Sequence, residues 1–339
     1  MKTKMLTRRS RRRSMCTSLM LIGGGLMLLL LSTAASLAIQ GGWGAARRGQ
    51  AGRDLNAVYF ADSKRGWAAG DGGFIMHTED GGKSWVRQPI DTTEGINDVY
   101  FRDKENGYVL AGSRIFSTED GGLTWRETIR FSPSTFSGAP PELYSVRFAG
   151  KKKGWVVGST SRRDIVVDSL VLFTDDSGVT WQRQLVPTRE ELIHLDFAGD
   201  RRGWIVGAGG VILHTRDGGL SWTAQHSSTD ATLYHVDFRN DNDGWAVGQR
   251  GTVLRTTDGG ETWTAVSVPL RSTLLSVKFA NDGDGWIVGR GGVILRSGDG
   301  GLTWVQQQSG TKQNLYALFI EKKNCWAVGG DGMVLKYER

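Results

Sequence analysis

The chain has 339 residues, 23% charged and 39% hydrophobic, a globular composition that excludes a disordered or collagen-like polymer. Its 48 Gly and 13 Trp against only 6 Pro predict many tight turns between short strands. The formal charge of +7 resides wholly in residues 1–40, which carry seven basic side chains and no acid; the other 35 Lys and Arg balance 35 Asp and Glu, so no global field draws in nucleic acid.

In chain order, residues 1–40 come first. A basic cluster (Arg8, Arg9, Arg11, Arg12, Arg13) precedes a run without charge from Ser14 to Ala46, most apolar between Leu19 and Leu31. Small residues ending at Ser36-Leu37-Ala38 match a secretory signal with its cleavage site. The same run is long enough for an uncleaved membrane anchor, which takes about 20 residues. Both readings put basic residues on the cytoplasmic side and residues 41–339 on the far side of a membrane, in an extracytoplasmic space. Cys16 precedes the apolar run and is not placed as a lipoprotein cysteine, and Cys325 is the only thiol after residue 40. One thiol permits no intramolecular disulfide and no Cys-based metal site.

From residue 41 onward the sequence is a repeat. The unit reads L-x-x-V-x-F, a charged turn, G-W-x-V-G, a Gly loop, then V-I-L-x-T-x-D-G-G-x-T-W. It opens at Leu55, Ile96, Leu143, Leu192, Leu233, Leu274 and Leu315, with spacings of 41, 47, 49, 41, 41 and 41. Four short segments rich in β-branched and aromatic residues per unit predict the four strands, A to D, of a β-propeller blade. Seven units predict an all-β, seven-bladed propeller over residues 41–339. The last unit stops before its own fourth strand. Trp43 lies 12 residues before Leu55, close to the 11 that separate a closing Trp from the next opening Leu. The segment around Trp43 is therefore expected to supply strand D of blade 7 and to close the ring, which removes an open sheet edge.

Six copies of the turn motif (TEDGGKSW, TEDGGLTW, TDDSGVTW, TRDGGLSW, TTDGGETW, SGDGGLTW) follow the Asp-box pattern. Asp80, Asp120, Asp176, Asp217, Asp258 and Asp299 are read as structural: an Asp accepts backbone N–H bonds in a turn whose glycines tolerate positive φ. An acid copied into six blades is not a catalytic acid. Gly82-Lys83-Ser84 lacks the partner glycine and helix of a phosphate loop. Asp241–Gly244 and Asp282–Gly285 lack the terminal Glu of a calcium loop. The five histidines show no metal spacing. No catalytic residue, metal or cofactor is assigned.

In a four-stranded meander the A–B and C–D turns share one end and the B–C and D–A loops the other. Two insertions, 126–142 and 159–170, fall at the second end, where binding commonly resides. The B–C loops also carry Arg114, Arg250 and Arg290. Arg250, Arg255, Arg290 and Arg296, from adjacent blades 5 and 6, are expected to form one basic patch for a partner.

G-W-x-V-G units coupled to D-G-G-x-T-W, as in Gly203-Trp204-Ile205-Val206-Gly207 and Gly244-Trp245-Ala246-Val247-Gly248, resemble the photosystem II stability and assembly factor family. That resemblance implies a non-catalytic, monomeric propeller that binds membrane-protein subunits during complex assembly through an arginine-rich surface. Arg250, Arg255, Arg290, Arg296 and Arg114 are the residues onto which that surface would map. Two departures are the absent lipoprotein cysteine and Cys325 in place of the usual Gly before Trp326. Two other functions share the motif. One is a carbohydrate- or cell-wall-binding propeller. The other is a sialidase-like glycoside hydrolase, for which the F-R-I-P signature is missing and Ser113-Arg114-Ile115-Phe116 is only a distant echo.

Overall fold

The computed structural model describes residues 41–47, 52–280, 283–322 and 324–338; the predicted signal or anchor segment lies outside them. Among the described residues no helix is long and apolar enough to cross a membrane. Seven antiparallel sheets of four strands each make up the unit Gly41–Arg339. Blade 1 sets the pattern: strand A is Leu55–Phe60, B Gly66–Gly70, C Phe74–Thr78 and D Val86–Arg87. Strand A recurs at Ile96–Phe101, Pro141–Ala149, Leu192–Ala198, Leu233–Phe238, Leu274–Phe279 and Leu315–Glu321. Gly42–Arg47 pairs antiparallel with strand C of blade 7, Val334–Glu338, placing Trp43 opposite Tyr337. The ring is thus closed by the N-terminal strand, as the position of Trp43 predicts.

The repeat consensus explains the packing. Every residue of G-W-x-V-G is buried in blades 1, 4, 5 and 6 because strand B lies between neighbouring blades. Its Trp stacks on the Phe that ends strand A of the next blade: Trp67 on Phe101 at 3.5 Å, Trp204 on Phe238 at 3.4 Å, Trp326 on Phe60 at 3.7 Å. The Asp-box Trp meets that Phe edge-on, as Trp125 does Phe101 at 5.8 Å and 80°. Each aromatic trio seals one blade boundary: the strand B Trp lies face to face on the Phe and buries it, while the edge-on approach of the Asp-box Trp suits the ring quadrupoles.

The Phe also dictates the glycine before the Trp. A Cβ at Gly66 would meet the Phe60 ring at 2.4 Å. Blade 7 departs at both positions together: Ile320 stands for the Phe and faces Cys325, which stands for the Gly. Without a flat ring across it, the position accommodates a thiol, so Cys325 is a packing residue, buried, with its thiol pKa pushed well up by that burial.

The A–B and C–D turns are stitched together at one end, where Gly81 N donates to Lys64 O and Gly218 N to Arg201 O, both at 2.8 Å. We call this end the box face and the opposite end the loop face. Both insertions are at the loop face. Residues 133–136 form a short 3-10 turn that buries Phe136 against Phe131, and strands B and C of blade 3 extend as a hairpin, Lys153–Arg162 and Ile165–Thr174.

Candidate functional site

The six Asp-box carboxylates are internal to their turns. Asp80 Oδ1 accepts from Ser84 N at 2.9 Å and Oδ2 from Ser84 Oγ at 2.6 Å, while Thr78 Oγ1 donates to Oδ1 and accepts from Gly82 N. Asp120, Asp176, Asp217, Asp258 and Asp299 repeat this pattern. Hydrogen bonds from Ser84, Thr180 and Thr303 hold the Asp80, Asp176 and Asp299 carboxyls at about 2. A carboxylate so committed has no free oxygen geometry for proton transfer, which supports the structural reading.

The five candidate arginines divide between the two ends. Strand C runs from the loop face to the box face, so the residue before its terminal Thr or Ser sits near the box face. It lies opposite the strand B Trp: Arg255 faces Trp245 and Arg296 faces Trp286. Arg255 Nε donates to Gly300 O, in the Asp-box of the next blade, at 2.8 Å, and Lys336 Nζ does the same to Gly81 O at 3.1 Å. Blade 7 has no Asp-box, and there Arg296 instead lies over Trp286 and Tyr337, bonds Tyr337 Oη and pairs with Asp284 at 3.1 Å. Arg255 and Arg296 are blade-to-blade struts. Arg114 is buried and pairs with Glu94 at 3.2 Å and Glu127 at 3.4 Å.

Arg250 and Arg290 do occupy equivalent B–C turns on the loop face of blades 5 and 6. Arg250 pairs with Asp230; Arg290 is exposed. The single patch of four expected from the sequence is therefore not formed, because two of its members point to the other end of the ring.

A second polar assembly lines the central channel. In L-x-x-V-x-F the third and fifth residues face inward. Blades 2 to 6 contribute Asp98, Arg147, His194, Asp196, His235 and Lys278 to a cavity of about 460 Å³, whose wall also includes Tyr59, Tyr100 and Phe319; Asp237, buried, bonds Lys278 from outside that lining. Strand A is the inner edge of each sheet, and its unpaired N–H groups are capped by the preceding blade. Asp98 Oδ2 accepts Val146 N (2.9 Å), Asp196 Oδ2 accepts Phe238 N (2.8 Å), Asp237 Oδ2 accepts Phe279 N (2.8 Å) and Ser276 Oγ accepts Leu318 N (3.2 Å). The caps that are acids need counter-ions: Arg147 Nη1 bonds Asp98 at 2.7 Å and Lys278 Nζ bonds Asp237 at 2.6 Å.

These buried charges shift one another. Burial works against the Arg147 and Lys278 cations, yet the Asp98, Asp196 and Asp237 carboxylates outweigh it and raise both pKa values. Burial raises the Asp196 carboxyl despite Lys278. His194 and His235, stacked at 3.7 Å, are held well below the usual imidazole range by burial and by the Arg147 and Lys278 cations. His194 Nε2 meets Arg147 Nη2 at 2.9 Å, which fixes that nitrogen as an acceptor and keeps the ring neutral. Among the described residues no group of three or more His, Cys, Asp or Glu is placed to hold a metal ion. The sequence reading missed this network; its signal is the polar residue at the third and fifth positions of strand A.

Solved structures share this architecture. A YCF48 bound to a D1 peptide superposes with a TM-score of 0.72 over 88% of this chain and 97% of that one, at 21% identity. YCF48 from Cyanidioschyzon merolae gives 0.70 over 88% and 98%, also at 21%. A catalytically inactive virginiamycin B lyase from Staphylococcus aureus gives 0.69 over 85% and 95%, at 12%. At these identities the likeness is one of fold. No curated protein matches the sequence significantly. The family described as Photosynthesis system II assembly factor YCF48 matches residues 88–183, 138–229, 220–312 and 271–338, which together span most of the propeller. With blades 2 to 7 covered by that match, the chain belongs to the YCF48 assembly factor family.

Proposed function

We propose that this propeller is a non-catalytic, extracytoplasmic holder for a membrane-protein subunit during assembly of a photosystem II-type complex. The observation that carries the reading is the family match over residues 88–338, set beside a relative of the same architecture solved with a D1 peptide. The commitment of the Asp-box and channel carboxylates to backbone caps supports a binding role over acid–base catalysis. The loop face is the binding end: both insertions lie there, and so do Arg250 and Arg290. Arg can pair bidentately with acidic groups of a partner, each such charge-assisted bond contributing about 1.5–3 kcal/mol when desolvated. The N-terminal segment delivers the propeller across the membrane, cleaved or retained.

The test is capture of solubilised membrane proteins by the full chain, and by an Arg250→Glu/Arg290→Glu variant, followed by identification of what co-purifies. Photosystem subunits recovered by the parent and lost by the variant are the expected result. Recovery of none by the parent would overturn the function, and equal recovery by both would move the binding end elsewhere. A reporter fused after Arg339 that is active in the cytoplasm would overturn the location.

A further inference from the structure

The closing seam of the ring carries a cluster of arginines that neither the fold nor the proposed partner surface uses. Arg47 ends the N-terminal strand, Arg53 lies in the segment leading into blade 1, and Arg87 ends strand D of blade 1. All three guanidinium carbons surround one ring, Phe74 at the start of strand C: they are 5.7, 5.8 and 5.6 Å from its centroid. No two of them can then be farther apart than twice 5.8 Å, or 11.6 Å, inside the Debye length at low ionic strength and somewhat beyond the about 8 Å of physiological salt.

Among the described residues none of the three has a carboxylate within ion-pair distance, unlike Arg114, Arg147 or Arg250. The nearby acids are engaged elsewhere. Asp54 accepts from Tyr316 Oη (2.8 Å) and Asp331 N (3.0 Å), Asp71 from Asn56 Nδ2 (3.2 Å), and Asp331 from Gln313 Nε2 (2.5 Å) and Gly52 N (3.2 Å). Arg47 gives one Nη1 bond to Gly332 O at 3.1 Å; Arg53 and Arg87 are exposed with their donors unassigned among the described residues. One phenyl ring offers only two faces and about 0.5–1 kcal/mol per exposed cation, which does not offset three mutually repelling charges.

We propose that this cluster is a binding site for a tetrahedral oxyanion, phosphate or sulfate, free or as the head of a larger ligand. A planar carboxylate has two oxygens and one charge, enough for one or two guanidinium forks. A tetrahedral dianion has an oxygen for each of three guanidinium forks gathered around one ring and neutralises most of their charge. Because Arg47 belongs to the strand that closes blade 7 and Arg87 to blade 1, the bound anion would bridge the two sides of the closure. Occupancy would therefore stabilise the ring, as any ligand bound only by the folded state does.

The experiment uses the full chain, titrated with inorganic phosphate against chloride at constant ionic strength. Thermal midpoint and isothermal calorimetry are read for the parent, Arg87→Gln and Arg53→Gln. The expected result has three parts: saturable phosphate binding to the parent with a rising midpoint; at least tenfold weaker binding in either variant, the ratio expected from one charge-assisted bond; and an unchanged or raised midpoint for the variants without phosphate, since a repulsion has been removed. Vesicles containing phosphatidic acid form a second arm. Because residues 1–40 are themselves basic and apolar, only retention that Arg87→Gln and Arg53→Gln weaken relative to the parent, without a response to inorganic phosphate, assigns the oxyanion to a lipid head and supports the same chemistry. Absence of both responses, or equal responses in parent and variants, overturns the proposal. The photosystem partner test is independent of this outcome, because Arg250 and Arg290 belong to other blades.

Discussion

Closure by the N-terminal strand is the feature most open to quantitative attack. Gly42–Arg47 supplies the outer strand of blade 7, in register from Gly42 opposite Glu338 to Arg47 opposite Val334. Removing residues 41–47 would strip that ladder, at a net cost near 1 kcal/mol per hydrogen bond. It would also uncover Tyr337, now 3% exposed, whose ring lies 5.6 Å from both Trp43 and Trp286. Trp43 is half-buried, so its share is about half of the 3–5 kcal/mol typical of a buried aromatic truncation. The ordering entropy of the seven deleted residues, about 1 kcal/mol or more each, cancels the ladder term. Uncovering Tyr337 costs about as much as losing the half-buried Trp43, so a net loss of about 3–5 kcal/mol remains, or about 6–10 °C in midpoint for a propeller of this size.

The assay is thermal and urea denaturation of the deletion, of Trp43→Ala at about half the effect, and of a Gly42→Cys/Glu338→Cys pair. Gly42 and Glu338 are Cα partners across an antiparallel ladder, a separation compatible with a disulfide, so the oxidised pair should raise the midpoint. The deletion also leaves strand C of blade 7 as an open edge and should shift the protein toward oligomers. A midpoint unchanged by the deletion, with no gain from the locked pair, would refute closure as a source of stability.

Two further predictions concern the channel and the boxes. Lys278→Met should cost about 3 kcal/mol, because it leaves the buried Asp237 and Asp196 carboxylates without their cation, and Lys278→Met/Asp237→Asn should recover most of that loss; a variant as stable as the parent would contradict the pairing. Stability should also fall in two stages on acidification, followed by urea midpoint against pH. His194 and His235 have folded pKa values below their unfolded one, so protons taken up by the unfolded chain remove stability as pH drops below about 6.5. The Asp-box carboxyls at about 2 contribute stability above the unfolded carboxyl range that is lost as pH falls from about 4 toward 2. His235→Gln should reduce the first stage only, since His194 and the buried His214, held at about 4, still contribute to it, and a midpoint constant from pH 7.5 to 4.5 would contradict the buried-neutral imidazoles.

Much of this architecture is legible because it repeats. The Leu spacing gives blade number, and the displaced Trp43 gives closure, since both are periodic signals that a single missing element interrupts. Arg255 and Arg296 were misplaced for a geometric reason. The sequence places both on strand C before a Thr or Ser and joins them to the loop end; that Thr or Ser is already the first residue of the Asp-box turn, so both arginines sit at the box end of the strand instead. The channel network is hidden for another reason. Its ion pairs join residues 41 to 49 apart whose chemistry changes along the ring, Asp98 with Arg147 and Asp237 with Lys278, so although blades 4 and 5 share a His and an Asp at those positions the repeat gives no consensus there. The arginines around Phe74 are unreadable in the same way, being joined only when the two ends of the chain meet.

The distribution of polar work in the ring also bears on where recognition can evolve. At the channel, side chains of one blade satisfy the backbone of the next, so a change at Asp98, Asp196 or Asp237 orphans an N–H group as well as a cation. At the box face the same holds, since Asp-box carbonyls accept from Trp67, Trp204, Trp245 and Trp326 of the preceding blade. Both locations couple neighbouring blades and tolerate little variation. The loop face carries no such obligation in blade 3, where strands B and C run on into a hairpin with Ile165 exposed while the core register of that blade stays intact. Segments can lengthen there, and a turn such as Gln249–Gly251 can hold an arginine in left-handed backbone, without uncoupling a blade. The end of the ring that stability leaves free is the end at which a partner can be met.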